Sequence, residues 1–205
     1  QAAAYQAFWE YMPLDVDIEP TTTEEGIPLL AIHRRIKYGR HLDLFALDGR
    51  QYKDGVICGR DFLLYSCEDL QDPDRTLLGQ DQTEWLCEGL AEDRATWKVL
   101  LNQTVMMGFK LTNNMRPIFD SLMGDQLRQD TDGLLINADQ WDGYPQNRDR
   151  ILGMMDDMSI PNLIVCTGDI HNCYVGELKA DFTARRSDAC GVEFVTGSVT
   201  SDGVY

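Results

Sequence analysis

Basic residues are scarce in this chain. Over 205 residues, 18 Lys and Arg stand against 34 Asp and Glu, a net charge of −16. That balance argues against nucleic acid and anionic membrane as partners, because both are recognised through a basic patch. An acidic body fits the binding of multivalent cations, and it fits plain solubility equally well. It attracts a phosphate anion poorly unless metal ions reverse the local sign. No run of about 20 apolar residues is present to span a bilayer, and no secretory leader pattern is present. The chain opens at Gln1 without Met and stops soon after Ser201-Asp202-Gly203. Both ends read as cut, so the missing export signal says little.

Several catalytic signatures are also absent. There is no Gly-x-x-x-x-Gly-Lys loop, no Gly-x-Gly-x-x-Gly turn and no Gly-x-Ser-x-Gly elbow. Gly197-Ser198-Val199-Thr200-Ser201 is rich in hydroxyls but has no charge relay near it. The six cysteines contain no close Cys-x-x-Cys pair, which argues against a zinc ribbon. Cys58 and Cys67 share a loop and are placed to pair if the compartment is oxidising. Cys166 sits in an apolar run, where a buried free thiol is expected. Asp15-Val16-Asp17-Ile18-Glu19 is no EF-hand, because Pro20 and Gly26 stand where that loop needs Gly and Glu.

What remains is an ordinary globular composition, with 43% hydrophobic and 25% charged residues, enough for one domain with a real core. No repeat or linker divides it. Residues 2–12 carry a helical stripe at Tyr5, Phe8, Trp9 and Met12, ended by Pro13. Residues 15–28 read as a polar loop. Residues 31–38 and 42–47 form a hairpin through Gly39-Arg40. Residues 51–79 read as a long loop of the kind that is often functional. A helix is predicted over 80–90 and a short buried strand over 97–101, while 106–131 is ambiguous. A second helix is predicted over 144–158. Residues 163–166 suit a strand buried on both faces, and 192–195 a further strand. Helices alternating with buried strands predict a layered α/β sheet.

Three constellations carry chemistry. In the first, the apolar run Leu163-Ile164-Val165-Cys166 leads into Thr167-Gly168-Asp169-Ile170-His171. Ligands gather at the carboxyl ends of strands in open α/β sheets. If the backbone stays extended, Asp169 and His171 project to one side, and an oxygen with an imidazole suits a metal. The plain reading is a cap and a surface histidine. In the second, Asn137-Ala138-Asp139-Gln140-Trp141-Asp142-Gly143 offers carboxylates for a hard cation, or only a decorated helix start. In the third, Asp48-Gly49-Arg50 places a planar fork that could clamp phosphate, with loop-holding pairs as the favoured reading.

Taken together, the segments resemble the PhoD-type alkaline phosphatase family, a branch of the metallophosphoesterases. The resemblance runs in order through Ala3-Ala4-Tyr5-Gln6-Ala7 with Met12-Pro13, Leu47-Asp48-Gly49-Arg50-Gln51-Tyr52, and Asp74-Arg75-Thr76-Leu77-Leu78-Gly79 with Gln82 and Trp85-Leu86. It continues through Trp97-Lys98-Val99-Leu100 with Asn102-Gln103, and Asp139-Gln140-Trp141-Asp142-Gly143-Tyr144 with Arg148 and Arg150. It closes with Thr167-Gly168-Asp169-Ile170-His171 and Glu193-Phe194-Val195-Thr196. The resemblance implies an α/β/β/α metallophosphatase sandwich, of which residues 1–205 form the C-terminal part of a single domain. It implies hydrolysis of phosphate monoesters and often diesters, ferric iron joined by calcium, and a periplasmic or extracellular location. Asp169 and His171 are then expected to be catalytic and, with Asp142, metal-ligating. Arg50, Asn137 and Asp139 are expected at the substrate. Two departures stand out. The family's Gly-Asp-x-x-Tyr and Asp-Asp-His-Glu segments do not occur, and Gly49 replaces a usual Thr or Ser. The first departure keeps open a non-catalytic homologue with a binding or structural role.

Overall fold

The computed structural model describes residues 2–12, 21–22, 28–55, 57–59, 62–64, 67–92, 94–111, 134–182 and 187–202. The polar loop read over 15–28 and the ambiguous stretch 106–131 lie largely outside the described residues, as does Pro13. Along the chain come α1 (Ala2–Tyr11), β1 (Thr21–Thr22), β2 (Pro28–Leu29), β3 (Arg34–Tyr38), β4 (Leu42–Ala46) and β5 (Phe62–Leu64). There follow α2 (Gln80–Glu92), β6 (Trp97–Asn102), β7 (Lys110–Leu111), β8 (Leu134–Asn137), α3 (Pro145–Asp157), β9 (Leu163–Thr167), β10 (Tyr174–Lys179) and β11 (Ala189–Val195).

The centre is a six-stranded sheet of order β10-β11-β9-β6-β4-β3. Its four inner strands are parallel, and the hairpin partners β3 and β10 add antiparallel edges. Gly39 takes φ +57° in the β3–β4 turn, a conformation that glycine adopts without a Cβ clash. The parallel links need long crossovers, and α2 and α3 lie within them. Both helices pack on the same sheet face. Leu86 and Leu90 of α2 and Ile151, Leu152 and Met155 of α3 join Phe45, Leu100, Leu163 and Val165 in one buried cluster. Gly89 is what lets α2 lie close, since a Cβ there would meet the Phe45 ring at 2.7 Å.

The opposite face is apolar and uncovered by described residues. Register places Val175, Phe194, Cys166, Leu101 and Ala46 in one cross-strand row, with Val192, Ile164, Val99 and Leu44 in the next. Trp97, Leu101, Val175 and Phe194 are exposed there. This corrects two expectations. The strand over 163–166 is buried on one face only, and Cys166 is an exposed thiol rather than a buried one.

The stretch 51–79 is more ordered than a long loop. A disulfide joins Cys58 to Cys67, and β5 between them pairs antiparallel with β8, bringing Phe62 opposite Asn137. Ile57, Leu70, Leu135 and Ala138 form a small second core beneath, with Cys67 packed on it. A core of that size holds a loop weakly, so a covalent staple matters.

Candidate active site

The turn after β4 is clamped from two sides. Asp48 is buried, and its carboxylate accepts the backbone N–H of Arg50 and of Gln51, each at 3.1 Å. Gln82 of α2 accepts the Asp48 N–H at 2.8 Å and donates back to its carbonyl at 2.9 Å. Gln103, just past β6, accepts from the Gly49 N–H at 2.9 Å and donates to the Leu47 carbonyl at 2.7 Å. A Cβ at Gly49 would stand 3.4 Å from both Gln103 Oε1 and the Leu77 side chain, an ordinary contact, so the clamp leaves room for a small side chain here.

The clamp aims Arg50 across the sheet's carboxyl edge. Its Nη1 donates to Asp139 Oδ2 at 2.7 Å and its Nη2 pairs with Asp169 Oδ2 at 2.9 Å. Lys53 binds Asp139 Oδ1. One guanidinium therefore ties together the loops that follow β4, β8 and β9. Burial disfavours the Arg50 charge, but hydrogen bonding and attraction from Asp139, then Asp169, outweigh it and hold its pKa above the ordinary arginine value. Burial likewise raises the Asp139 pKa, and the hydrogen bonds and charges of Lys53 and Arg50 more than offset that and leave the carboxyl below its usual range.

Asp169 follows Gly168 at φ +70°, and His171 sits at φ +58°. The Ile170 N–H donates to the Gly168 carbonyl at 2.9 Å. The chain therefore leaves β9 in a tight turn, and the extended geometry that would set both side chains on one side does not occur. Both residues are exposed. Buried Gln140 orients Asp169, donating to its Oδ2 at 3.2 Å while accepting the Val105 N–H at 2.6 Å. Among the described residues no hydrogen bond reaches Asp169 Oδ1. That oxygen and the His171 imidazole are donors of the kind a metal takes. They fit an ion as part of a ligand set. Asp139 fits less well, because both its oxygens are engaged by cations.

The other expected residues lie as follows. Asn137 accepts the Asp139 N–H through Oδ1 at 2.9 Å, so it shapes the loop. Asp142 is buried, with Oδ1 on Arg148 Nη1 at 2.7 Å and Oδ2 on the Phe109 N–H at 2.6 Å. Both of its oxygens are thus occupied by an interior cation and an amide. Gly143 permits the sharp bend here, since a Cβ would stand 1.9 Å from the Ala138 carbonyl oxygen.

Sequence reasoning missed several members. Lys53 gave a faint signal as a cation three residues beyond Arg50 in an acidic chain. Gln140 and Glu193 stood in the motifs that carried the resemblance, but nothing local marked either as a site residue, because their partners are remote in sequence. Glu193 is fully buried on β11 and accepts the Met106 N–H at 2.8 Å, the Met107 N–H at 2.6 Å and the Thr167 hydroxyl at 2.6 Å. Burial pushes its pKa up, against those three donors and the charge of Arg148. Asn102 extends the network, donating to Thr167 at 3.1 Å and accepting from the Trp141 indole at 3.2 Å. Cys58, Cys67 and Asp69 also converge, but the disulfide removes both thiolates as ligands.

A mixed α/β sheet that gathers charged loops at its carboxyl edge defines an α/β protein with a polar site at the strand ends. Comparison with known proteins narrows this further. The chain belongs to the PhoD-like phosphatase family, whose model matches residues 1–205. It is 32% identical over 203 residues to alkaline phosphatase D of Bacillus subtilis (strain 168), covering 99% of this chain and 31% of that protein. A solved structure of PhoD superposes with a TM-score of 0.81 at 32% identity, over 98% of this chain and 34% of that one. The chain thus spans about a third of the length of both, and its fold is part of that larger one. The family named by the sequence motifs is the family found. No helix among the described residues is long and apolar enough to cross a membrane.

Proposed function

We propose that this chain supplies part of a metal-dependent centre that hydrolyses phosphate monoesters and diesters. The observation that carries the reading is the Arg50 bridge, which joins Asp139 and Asp169 at one edge of the sheet. His171 and the unengaged oxygen of Asp169 would hold metal, with ferric iron and calcium as the ions that the family resemblance implies. A bound metal would polarise the phosphoryl group and supply an oxygen nucleophile at moderate pH. Gln140 and Arg50 fix Asp169 through its other oxygen. The Arg50 fork, already suited to carboxylates, is equally suited to two phosphate oxygens. Lys53 adds positive charge beside it, which an otherwise acidic chain needs to admit an anion.

Residues 1–205 act in this reading as the C-terminal part of one metallophosphatase domain. Support comes from the uncovered apolar face of the sheet, because parallel strands are ordinarily covered on both faces. A second layer packed on Phe194, Leu101 and Trp97 would complete the sandwich. The Cys58–Cys67 disulfide supports a periplasmic or extracellular setting.

The test is hydrolysis of p-nitrophenyl phosphate and bis(p-nitrophenyl) phosphate by the full-length protein with iron and calcium supplied. His171→Ala is expected to lower turnover by about 100-fold or more, the scale lost when a group stabilising the transition state is removed. Turnover near wild type would refute the assignment. A wild-type protein that binds both metals and hydrolyses neither ester would instead support the non-catalytic homologue.

A further inference from the structure

A cavity of about 490 Å³ opens against Arg50, and neither Asp139 nor Asp169 is among its lining residues. Phe8 of α1, Leu30 and Ile32 make its apolar wall, and Arg50, Gln51 and Gln103 contribute polar atoms. Those amides are already occupied. Gln51 donates to the Leu30 carbonyl at 2.7 Å and accepts the Leu30 N–H at 3.0 Å, while Gln103 is held by Leu47 and Gly49. The buried Asp48 carboxylate at the same wall is taken up by its own turn. The polar lining therefore makes few demands on a ligand, and what the cavity offers is apolar surface. Its size falls in the range of small-molecule pockets, roughly 300–1,000 Å³. Arg50 is the one residue that belongs both to this wall and to the Asp139–Asp169 cluster.

We infer that this cavity is a substituent subsite for phosphodiesters carrying an aryl group. The inference rests on the phosphoesterase reading above. With the phosphoryl group beside Asp169 and the Arg50 fork, the second ester substituent extends past Arg50 and packs between Phe8 and Ile32. An aromatic ring gains most, because Phe8 is 36% exposed and keeps a ring face free to be covered. A methyl substituent would leave the cavity largely unfilled.

Two esters with one leaving group test this in the full-length protein: phenyl p-nitrophenyl phosphate and methyl p-nitrophenyl phosphate. Each releases the same phenolate, so the bond broken is constant and only the retained group differs. The phenyl ester is expected to show kcat/KM about tenfold higher or more, the scale of discrimination in an apolar pocket. Phe8→Ala and Ile32→Ala are each expected to pull that ratio several-fold toward one. Both positions are at least partly open to solvent, and thermal melting checks that the variants stay folded. Titration calorimetry with phenylphosphonate and methylphosphonate gives a readout independent of turnover. A ratio near one, or a ratio unmoved by both variants, would overturn the subsite and leave the phosphoesterase reading intact. No release from either ester, but a phenylphosphonate preference lost in both variants, would keep the subsite and sink the hydrolase. No release and no phosphonate preference would overturn both.

Discussion

Replacing Asp142 with Ala distinguishes a metal ligand from an interior counter-ion. The carboxylate and Arg148 each have 3% of the side chain exposed, and their closest atoms are 2.7 Å apart. Removing one partner of such a pair costs about 3–5 kcal/mol, chiefly because the other charge stays buried alone. Arg148 keeps some compensation here, since it also donates to the Met106 carbonyl at 3.1 Å and lies over the Phe182 ring at 4.5 Å. The loss should therefore fall near the lower end, at about 3 kcal/mol, against a typical total stability of roughly 5–15 kcal/mol. For a chain of this length that corresponds to a fall in Tm of roughly 6–12 °C. The assay is calorimetric melting of metal-free protein, paired with metal content after reconstitution. Asp142→Ala should melt lower yet bind iron and calcium as wild type does. The double variant Asp142→Leu with Arg148→Met should recover most of the loss, because it leaves no orphan charge. An unchanged Tm accompanied by lost metal would refute the buried-pair reasoning and restore Asp142 as a ligand.

The remaining predictions concern the supports of the same edge. Glu193→Gln keeps the shape but places an amide donor against backbone N–H donors. Leaving one of them unpaired should cost about 1–3 kcal/mol. Hydrogen exchange at Met106 and Met107 should quicken, and unchanged protection at both would count against the network. Asp139 has a depressed folded pKa, so its contribution is present above its unfolded pKa near 3.9 and is lost as pH falls through the lower folded value. The destabilisation caused by Asp139→Asn in urea melts should therefore be largest at neutral pH and shrink below about pH 4. A penalty that stays constant across that range would show that Lys53 and Arg50 do not hold the carboxylate as described.

Local chemistry made much of the fold readable. The helices over 80–90 and 144–158 and the strands over 97–101 and 163–166 appear within two residues of their predicted bounds. Their periodicity and starts, such as Pro145 at the first turn of α3, are encoded within each segment. Strands β7 and β8 were not anticipated, nor was β10. β5 was hidden inside an apparent loop. These short strands gain their hydrogen bonds only from distant partners, and a two- to four-residue segment has too few side chains to display a period.

The sequence by itself determined the family, the elements of the main sheet other than β10, and the identity of Arg50, Asp139 and Asp169 as residues of interest. Motif order and local pattern survive without coordinates, because each depends on neighbours along the chain. Only the tertiary structure decided which polar groups meet. It brought Arg50 onto two carboxylates 89 and 119 residues away in sequence, and gave Asp142 to Arg148 in the interior. It also left Asp169 with one oxygen held and the other open. A carboxylate's role follows from whether a cation, an amide or nothing reaches each oxygen, and long-range packing settles that.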